Sequence, residues 1–279
     1  MSTTDQSATR RYHRVLSIAG SDSSGGAGIQ ADLKTFSAIG CYGMTVITAL
    51  TAQNTTGVTG IHAIPPEFAV EQLDAIYTDI GTDAVKIGML YSAELIQVVA
   101  ERLRHYKVGN IVLDPVMVAQ SGDKLVQDDA VEAIKSDLMP LATVVTPNVP
   151  EAEVMCGRTL KGAREIEAAA KTLAGHGSEA VLIKGGHNEG RESTDLLYFR
   201  KDNRKVELSA QRIATRNNHG TGCTLSSAIA AYLAKGAEVE SAVSSAKAYI
   251  TAAIDAGADY QLGRDHGHGP VHHFFRFWE

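Results

Sequence analysis

Val15-Leu16-Ser17-Ile18-Ala19 is a short apolar run that leads into the glycine-rich stretch Gly20-Ser21-Asp22-Ser23-Ser24-Gly25-Gly26-Ala27-Gly28. A run of this length and composition predicts a buried strand. After the glycines, apolar residues recur at a spacing near that of a helix turn, which predicts an amphipathic helix, at Ile29, Leu33, Phe36 and Ile39. A strand, a glycine loop and a helix form the opening unit of an α/β fold, whose ligands favour the crevice at the carboxyl ends of the strands.

The same alternation of apolar runs and amphipathic segments continues along the chain. Strands are predicted over 44–52, 58–64, 84–89, 110–116, 143–148 and 180–184, with a hairpin over 196–200 and 205–208. Helices are predicted from residue 65, with Phe68, Leu73 and Ile76 inward, and over 93–106, 163–174, 221–234 and 238–256. This alternation implies a mainly parallel sheet covered on both faces, with 58–64 as an edge or lid strand.

The composition is that of one globular domain. The chain has 279 residues, of which 44% are hydrophobic and 21% charged, and its formal net charge is −6. We expect a disordered tail over residues 1–13 and a single domain over 14–279. The negative charge, with no long run of Lys and Arg, disfavours nucleic acid or an anionic membrane as a partner.

Cysteine usage and the N-terminus bear on the compartment. Cys41, Cys156 and Cys223 are far apart and form no CxxC pair, which disfavours a disulfide framework or a cysteine zinc site and favours a reducing compartment. The N-terminal residues are polar and lack the apolar segment of a secretory signal. No apolar run approaches the ~18 residues of a membrane span. We therefore expect a cytoplasmic protein.

A second glycine loop, Asn217-Asn218-His219-Gly220-Thr221-Gly222-Cys223-Thr224, runs directly into Ala-rich helical sequence. Gly220 and Gly222 lack the Cβ atoms that would keep a ligand off the backbone. The loop delivers its N–H groups to a helix N-terminus, which favours an anion such as phosphate. The alternative is an ordinary turn capped by Thr221 or Thr224. Neither GxxxxGK[ST] nor GxGxxG occurs, so capture of phosphate by this backbone is the remaining interpretation.

Polar residues follow several of the predicted strands, where this architecture places its site. Gln53 can donate and accept at once, which suits the edge of a heteroaromatic ring. Asp32 either accepts a hydrogen bond from a ligand nitrogen or is a charge near a helix N-terminus. Asn148 and Glu151 either hold Mg²⁺ through water or form a helix capping box. Lys184 could neutralise a transferring phosphate.

Taken together, these residues resemble the hydroxymethylpyrimidine/phosphomethylpyrimidine kinase family of the ribokinase-like superfamily. The long opening motif over residues 18–35 carries most of the resemblance. Shorter segments agree in order and spacing, at 47–54, Lys86-Ile87-Gly88-Met89-Leu90, Leu113-Asp114-Pro115-Val116-Met117, Thr146-Pro147-Asn148, Lys184-Gly185-Gly186-His187, His219-Gly220-Thr221-Gly222-Cys223-Thr224 and 269–274. The resemblance extends from about Val15 to the end of the chain.

The resemblance implies a ribokinase-like three-layer α/β/α sandwich. It also implies ATP- and Mg²⁺-dependent phosphorylation of 4-amino-5-hydroxymethyl-2-methylpyrimidine to the monophosphate and then the diphosphate, in a homodimer. By position, the pyrimidine would be held by Gly20, Ala27, Asp32 and Gln53, with Met89 and Val116 against the ring. ATP would be bound by Asn148, Lys184, Thr215 and Asn217, and the metal by Glu151 and Asp114.

The catalytic loop implied by the resemblance is Gly220-Thr221-Gly222-Cys223. Sugar kinases of this fold usually have Asp where this chain has Cys223, and that Asp acts as a base. A thiol at a helix N-terminus can have a lowered pKa, so a thiolate base is conceivable. Phosphoryl transfer depends mostly on positioning and charge stabilisation, however. We therefore expect the loop amides to matter most, as an anion hole, with Cys223 as a supporting base or lid contact.

Two other functions remain open from the sequence. A pyridoxal or pyridoxine kinase would act on similar hydroxymethyl-bearing aromatic rings, although Gln53 favours a pyrimidine with an exocyclic amine. A non-catalytic pyrimidine-binding protein would keep the pocket without turnover. The complete Gly220–Cys223 loop together with Asn148, Glu151 and Lys184 disfavours that second alternative.

Overall fold

The computed structural model describes residues 10–117, 129–185, 192–264 and 267–278. The strands in these ranges are β1 (Arg14–Asp22), β2 (Tyr42–Asn54), β3 (Gly57–Ala63), β4 (Ala84–Ile87), β5 (Ile111–Leu113), β6 (Val144–Val145), β7 (Ala180–Ile183), β8 (Glu192–Phe199) and β9 (Lys205–Gln211). The helices are α1 (Gly28–Ile39), α2 (Pro66–Asp79), α3 (Ala93–His105), α4 (Ala130–Ala133), α5 (Val149–Cys156), α6 (Gly162–Ala174), α7 (Thr221–Ala234) and α8 (Val239–Gly257).

All of these strands belong to one sheet, in the order β3-β2-β1-β4-β5-β6-β7-β8-β9. The strands from β2 to β7 in that order pair in parallel. β3 is antiparallel at one edge, and the hairpin of β8 and β9 is antiparallel at the other. The predictions of a mainly parallel sheet, an edge strand over 58–64 and a hairpin near residue 202 are confirmed.

Helices cover both faces of the sheet, because successive strand residues point to opposite sides. Leu16 and Ile18 pack into one apolar cluster with residues of α2, α3 and α6, such as Leu73. Val15 packs into a second cluster with α1, α7 and α8, which contribute side chains such as Phe36. These two cores on either side of one sheet make the predicted three-layer α/β/α sandwich.

Several predicted details differ from the structure. Phe68 was expected to face inward, but it is 51% exposed, since α2 turns Ala69 and Leu73 toward the core instead. The predicted strands over 84–89, 110–116 and 143–148 end earlier, at Ile87, Leu113 and Val145, and their polar ends leave the sheet. Most of the predicted tail over residues 1–13 lies outside the described residues, as do Gly186 and His187.

The strand order changes direction at β1, which pairs with β2 on one side and β4 on the other. α1 leaves the carboxyl end of β1, and α7 begins beside it, because Gly220 contacts the Gly26 backbone. A switch point of this kind opens a crevice at the strand ends. Among the helices described, none combines the length and the apolar character that a membrane crossing requires.

Candidate active site

A cleft of about 510 Å³ lies over the carboxyl ends of β1, β4, β5 and β7. Most of the predicted site residues line it, namely Gly20, Ala27, Gln53, Met89, Asp114, Val116, Asn148, Glu151, Lys184 and the Gly220–Cys223 loop. These residues come from well-separated parts of the sequence, so the fold assembles one site from them.

One end of the cleft is an apolar slot. Met89 and Ala49 are buried against each other, and Val116 packs on them. A Cβ at Gly20 would lie 2.5 Å from the methyl carbon of Met89, so a larger residue there would push the Met89 side chain into the slot or away from it. Gln53 stands at the rim, and the hydroxyl of Thr51 donates to its side-chain oxygen at 3.1 Å. The slot can accept a flat ring, with Gln53 at the ring edge.

Asp32 lies behind the wall of the slot rather than on it. Both Asp32 and Lys86 are fully buried, and the Lys86 ammonium is 2.9 and 3.0 Å from the two carboxylate oxygens. The hydroxyls of Ser17 and Ser227 donate to the same carboxylate, at 2.5 and 2.6 Å. These internal partners use its acceptor capacity, which corrects the prediction that Asp32 contacts the substrate directly.

Asp22 and His219 form a hydrogen-bonded pair at the cleft, which the sequence interpretation missed. The Asp22 carboxylate lies 2.8 Å from His219 Nε2 and accepts the Ala27 and Ser24 amides, each at 2.8 Å. Burial opposes ionisation of Asp22, but the hydrogen bonds from His219, Ser24 and Ala27 outweigh it and hold its pKa well below the usual range. Asp22 thereby fixes the opening glycine loop and joins it to the loop before α7.

The N-terminus of α7 faces the cleft without a side-chain cap. Gly220 precedes it with φ of 80°, and a Cβ there would overlap the Gly26 carbonyl oxygen. Thr221 donates to the Asn218 carbonyl and Thr224 bonds to His273 Nε2, so the alternative of a threonine cap is wrong. The Thr221 amide donates to the Asn218 carbonyl at 3.2 Å. The next amides of the first turn, those of Gly222 and Cys223, have no intrahelical acceptors and can bind an anion.

Cys223 is not poised as a thiolate. Burial raises the pKa of its thiol to about 11, although the nearby Lys86 acts in the opposite direction. The possibility of a lowered thiol pKa is therefore not realised, because desolvation outweighs the helix N-terminus and the neighbouring cation. The thiol rests protonated at neutral pH.

Lys184 provides a cation beside the start of α7, where a Cβ on Gly222 would lie 3.5 Å from its ammonium nitrogen. Its ammonium lies 2.7 Å from Asp114 and 3.9 Å from Glu151. Burial disfavours the Lys184 charge, but Asp114 and Glu151 outweigh it and raise the pKa of Lys184. For Asp114, burial is likewise outweighed by Lys184 and Lys86, which lower the pKa of that carboxyl. Burial raises the pKa of Glu151 to about 7 against the pull of Lys184.

Asn148 and Glu151 form the predicted capping box at the start of α5. The Asn148 side chain accepts the Glu151 amide at 2.8 Å, and the Glu151 carboxylate accepts the Asn148 amide at 2.7 Å. Both side chains still line the cleft. Capping and a role in the site are therefore compatible.

Thr215 and Asn217 are not among the residues that line this cleft; they line a separate, more open hollow together with Ala258 and Tyr260, and their contact with ATP stays a prediction. The Asn217 amide donates to the carbonyls of Gly257 and Tyr260, each at 2.6 Å. The Thr215 hydroxyl donates to the Ala258 carbonyl at 3.2 Å. Both side chains tie the segment before α7 to the end of α8.

The donor set for a metal in the cleft is small. In the ranges that the structure describes, no group of three His, Cys, Asp or Glu side chains could hold a metal ion by itself. Asp114 and Glu151 are two carboxylates that share the neighbouring Lys184. Mg²⁺ in phosphoryl-transfer sites is commonly held by one or two carboxylates together with substrate phosphates and water. The residues present fit that pattern.

Two further charged residues in the cleft wall escaped the sequence interpretation. Lys247 on α8 lies 2.7 Å from Asp195 on β8, and Asp195 accepts the Gly185 amide at 2.8 Å. This pair supports the chain directly after Lys184. The available signal for Asp195 was a charge directly before the apolar run Leu196-Leu197-Tyr198-Phe199.

Comparisons with known proteins agree with this geometry. A sequence profile of the phosphomethylpyrimidine kinase family matches residues 22–272. The chain is 54% identical over 270 residues to hydroxymethylpyrimidine/phosphomethylpyrimidine kinase of Rhizobium meliloti, covering 95% of this chain and 98% of that protein. It is 50% identical over 259 residues to a thiamine biosynthesis bifunctional protein of Geobacter sulfurreducens, covering 93% of this chain and 52% of that protein.

Among solved structures, the ADP complex of Bacillus subtilis pyridoxal kinase superimposes with a TM-score of 0.86 at 38% identity, covering 96% of this chain and all of that one (100%). The fold and the cleft thus define a ribokinase-like kinase of small molecules. Within that class, the chain belongs to the phosphomethylpyrimidine kinase family, as the sequence resemblance predicted. It is a kinase of thiamine biosynthesis, and membership of this family implies the use of ATP.

Proposed function

We propose that this protein transfers the γ-phosphoryl group of ATP to the hydroxymethyl oxygen of 4-amino-5-hydroxymethyl-2-methylpyrimidine, and then a second group to the resulting monophosphate. The observation that carries this proposal is an apolar slot opening beside an uncapped helix N-terminus, with the partly buried Lys184 next to that N-terminus. A flat ring in the slot would direct its hydroxymethyl group toward the α7 amides.

Substrate recognition in this proposal depends on shape and on one ring edge. Met89 and Val116 would pack on the ring, and the backbone near Gly20 and Ala27 would approach its polar atoms. Gln53 would pair with the ring edge that carries the exocyclic amine, because an amide both donates and accepts. Asp32 would act from behind the wall, through Lys86.

The phosphate groups would lie between the Gly220–Cys223 amides and Lys184, with Asn148 beside them. Thr215 and Asn217 would contact ATP from the hollow that they line, on the segment that leads into α7. Asp114 and Glu151 would hold Mg²⁺ together with the phosphates and water. When bound, the ion would neutralise charge on the phosphoryl oxygens.

In the first transfer, the acceptor oxygen forms its bond to phosphorus as the bond between that phosphorus and the bridging oxygen of ADP breaks. The amides and Lys184 stabilise the charge on the equatorial oxygens, and the hydroxyl proton passes late in the step to an oxygen of the transferred phosphoryl group. In the second transfer, the acceptor is already a phosphate oxygen and needs no base. We therefore assign Cys223 a supporting contact rather than the role of an essential base.

We further propose a single kinase domain over residues 14–279, a cytoplasmic location and a homodimer. The continuous sheet from β3 to β9 supports the single domain. Location in the cytoplasm is supported by the three cysteines, all of which are free. The homodimer rests on the family resemblance alone.

A mass-spectrometric assay with Mg-ATP tests this proposal, with hydroxymethylpyrimidine and pyridoxal offered in parallel to one preparation whose mass in solution is also measured. The expected products are the pyrimidine monophosphate followed by the diphosphate, and pyridoxal should be a poor substrate. The mass in solution should be that of a dimer. Preferential formation of pyridoxal phosphate would favour the second candidate, which the 0.86 TM-score to pyridoxal kinase supports. If neither compound is phosphorylated, the kinase assignment is contradicted.

A further inference from the structure

Two chains of hydrogen-bonded side chains, each made of a lysine, an aspartate and a serine, connect α7 to the sheet. In the first, the Lys184 ammonium lies 2.7 Å from Asp114, and the Ser226 hydroxyl donates to the other Asp114 oxygen at 3.2 Å. This lysine–aspartate–serine chain extends from the end of β7 to the first turns of α7. Its aspartate and its lysine line the cleft.

The second chain has the same order of residue types but lies beneath the cleft. The Lys86 ammonium from β4 lies 2.9 Å from Asp32 of α1, and the Ser227 hydroxyl donates to Asp32 at 2.6 Å. Ser227 follows Cys223 by one helical turn, so it lies on the same side of α7 as the thiol. The anion-binding end of α7 is thus attached to the body of the fold through two adjacent serines.

The two chains differ in what a phosphate would do to them. The Lys184 side chain is 14% exposed and would divide its hydrogen bonds between Asp114 and an incoming phosphate. The side chains of Lys86 and Asp32 are both 0% exposed. Lys86 borders the floor of the cleft, but its ammonium is held by both oxygens of Asp32. The second chain can therefore keep its geometry while the first one changes during turnover.

The space around Lys86 leaves it little freedom. A Cβ on Gly88 would lie 2.7 Å from the Lys86 ammonium and 3.0 Å from the Ala19 methyl group, so the ammonium is enclosed. A buried ion pair seldom stabilises a fold more than well-packed apolar side chains of the same size would. Its directional hydrogen bonds, in contrast, specify the position of what they hold. We therefore infer that the pair of Lys86 and Asp32 serves to position α7 rather than to stabilise the fold.

We propose that Lys86, Asp32 and Ser227 are positioning residues that hold the first turn of α7, and with it the Gly220–Cys223 amides, in place during phosphoryl transfer. This inference rests on the proposed kinase function. It also gives Asp32 a role that differs from the substrate contact expected from the sequence. The three residues act through the loop and touch no reacting atom.

Ser227→Ala is the mildest test, because it removes one hydroxyl and leaves the ion pair intact. We expect kcat for the pyrimidine to fall by about 10-fold or more, since small displacements of catalytic groups cost up to about 100-fold. The KM for the pyrimidine should stay within about twofold of wild type, because the slot is untouched. Thr35→Val is the matched control: Thr35 is also fully buried, and its hydroxyl donates to the Ala31 carbonyl of α1.

The double variant Lys86→Met, Asp32→Leu removes the second chain without leaving an unpaired buried charge. We expect it to fold with a melting temperature near that of wild type and to lose kcat on the order of 10- to 100-fold. Wild-type kcat in both Ser227→Ala and the double variant would overturn the proposal. If the double variant does not fold, Ser227→Ala decides.

An activity-independent measurement separates this inference from the proposed function. Alkylation of Cys223 by iodoacetamide, followed by peptide mass spectrometry, reports how firmly the first turn of α7 is held, with Cys156 as the internal reference. We expect Cys223 to react several-fold faster in Ser227→Ala than in wild type and in Thr35→Val. An inactive wild type would contradict the kinase function alone, whereas equal Cys223 reactivity in all three proteins would contradict the positioning role alone.

Discussion

At the scale of single residues, Glu151 combines a structural and a chemical role, and its ionised form lowers the stability of the folded protein. Its carboxylate accepts the Asn148 amide in the capping box, yet burial raises its pKa to about 7 from 4.5. A raised pKa means that the folded protein prefers the protonated carboxyl. The stabilising contribution of this proton is complete below pH 4.5 and is lost as the pH rises through about 7.

Glu151→Gln should therefore change how stability depends on pH. Glutamine mimics the protonated carboxyl, so the variant and wild type should melt at similar temperatures at pH 5. At pH 8 the variant should melt a few degrees higher, since 1 kcal/mol corresponds to about 2–4 °C in a chain near this size. Thermal melts across this pH range provide the measurement. Parallel curves for the two proteins would show that Glu151 ionises freely in the fold.

Most of the residues that line the cleft could be predicted from the sequence, because they are polar or flexible residues at the ends of strands. Gln53, Met89, Asn148 and Lys184 all line it, because polar or flexible residues directly after parallel strands meet at one edge of a sheet. Asp32 was misplaced because its position on α1 gave no sign of the buried Lys86 beside it. Pairing between residues distant in sequence is set by the three-dimensional packing, which no local pattern encodes.

At the scale of secondary-structure elements, the start of α7 is the critical feature. Gly220 has a left-handed backbone, and a Cβ there would overlap the Gly26 carbonyl just before α1. The two helix N-termini can approach each other only because this residue is glycine. Of the helices, α7 was well predicted, and its Ala-rich periodic sequence over 221–234 coincides with the observed bounds.

Gly220→Ala should disrupt this approach, whereas Gly236→Ala should not. Gly236 lies beyond the other end of α7 with φ of 85°, and a Cβ there would meet nothing within 4 Å. Both variants carry the strain of a left-handed alanine, about 1–2 kcal/mol, which melting temperatures would register. Only Gly220→Ala should also lose kcat, on the order of 100-fold, because the anion hole moves. Equal kcat in the two variants would contradict the importance of this contact.

Elements with interrupted periodicity were missed. The segment from α4 to Leu141 passes from an α-helical turn through a π-helical turn over Ile134–Leu138 and a 3₁₀ turn over Met139–Leu141. A π-helical turn shifts the positions that face the core, so a search for a constant helical spacing does not detect such a segment. The opening strand and α1, with regular spacing and a left-handed Gly40 at the end, were predicted closely.

At the scale of the whole molecule, the C-terminal segment completes the site from outside. His273 is buried, its Nε2 lies 3.0 Å from the Thr224 hydroxyl, and its carbonyl accepts the Tyr249 hydroxyl at 2.6 Å. Burial lowers the pKa of His273 to about 3, so it packs against α7 as a neutral ring. The first turns of α7 are therefore held from the sheet side by two aspartates and from the outer side by this histidine.

In the proposed mechanism, catalysis depends mainly on the helix N-terminus of α7 and on Lys184, and only secondarily on the thiol. One site can then serve both transfers, because amides and an ammonium stabilise the same phosphoryl charge whichever acceptor is bound. An essential thiolate base, in contrast, would be needed for the alcohol acceptor and not for the phosphate.

The most direct test of this account is the rate of each transfer measured separately in Cys223→Ser, with Cys156→Ser as the control. A serine hydroxyl occupies the same position but does not supply a thiolate. We predict that transfer to the monophosphate stays within about tenfold of wild type, and that transfer to the alcohol falls by less than the 10²–10⁴-fold that loss of a general base usually costs. Loss of transfer to the alcohol to background in a folded Cys223→Ser protein, with or without loss of the second transfer, would contradict the account.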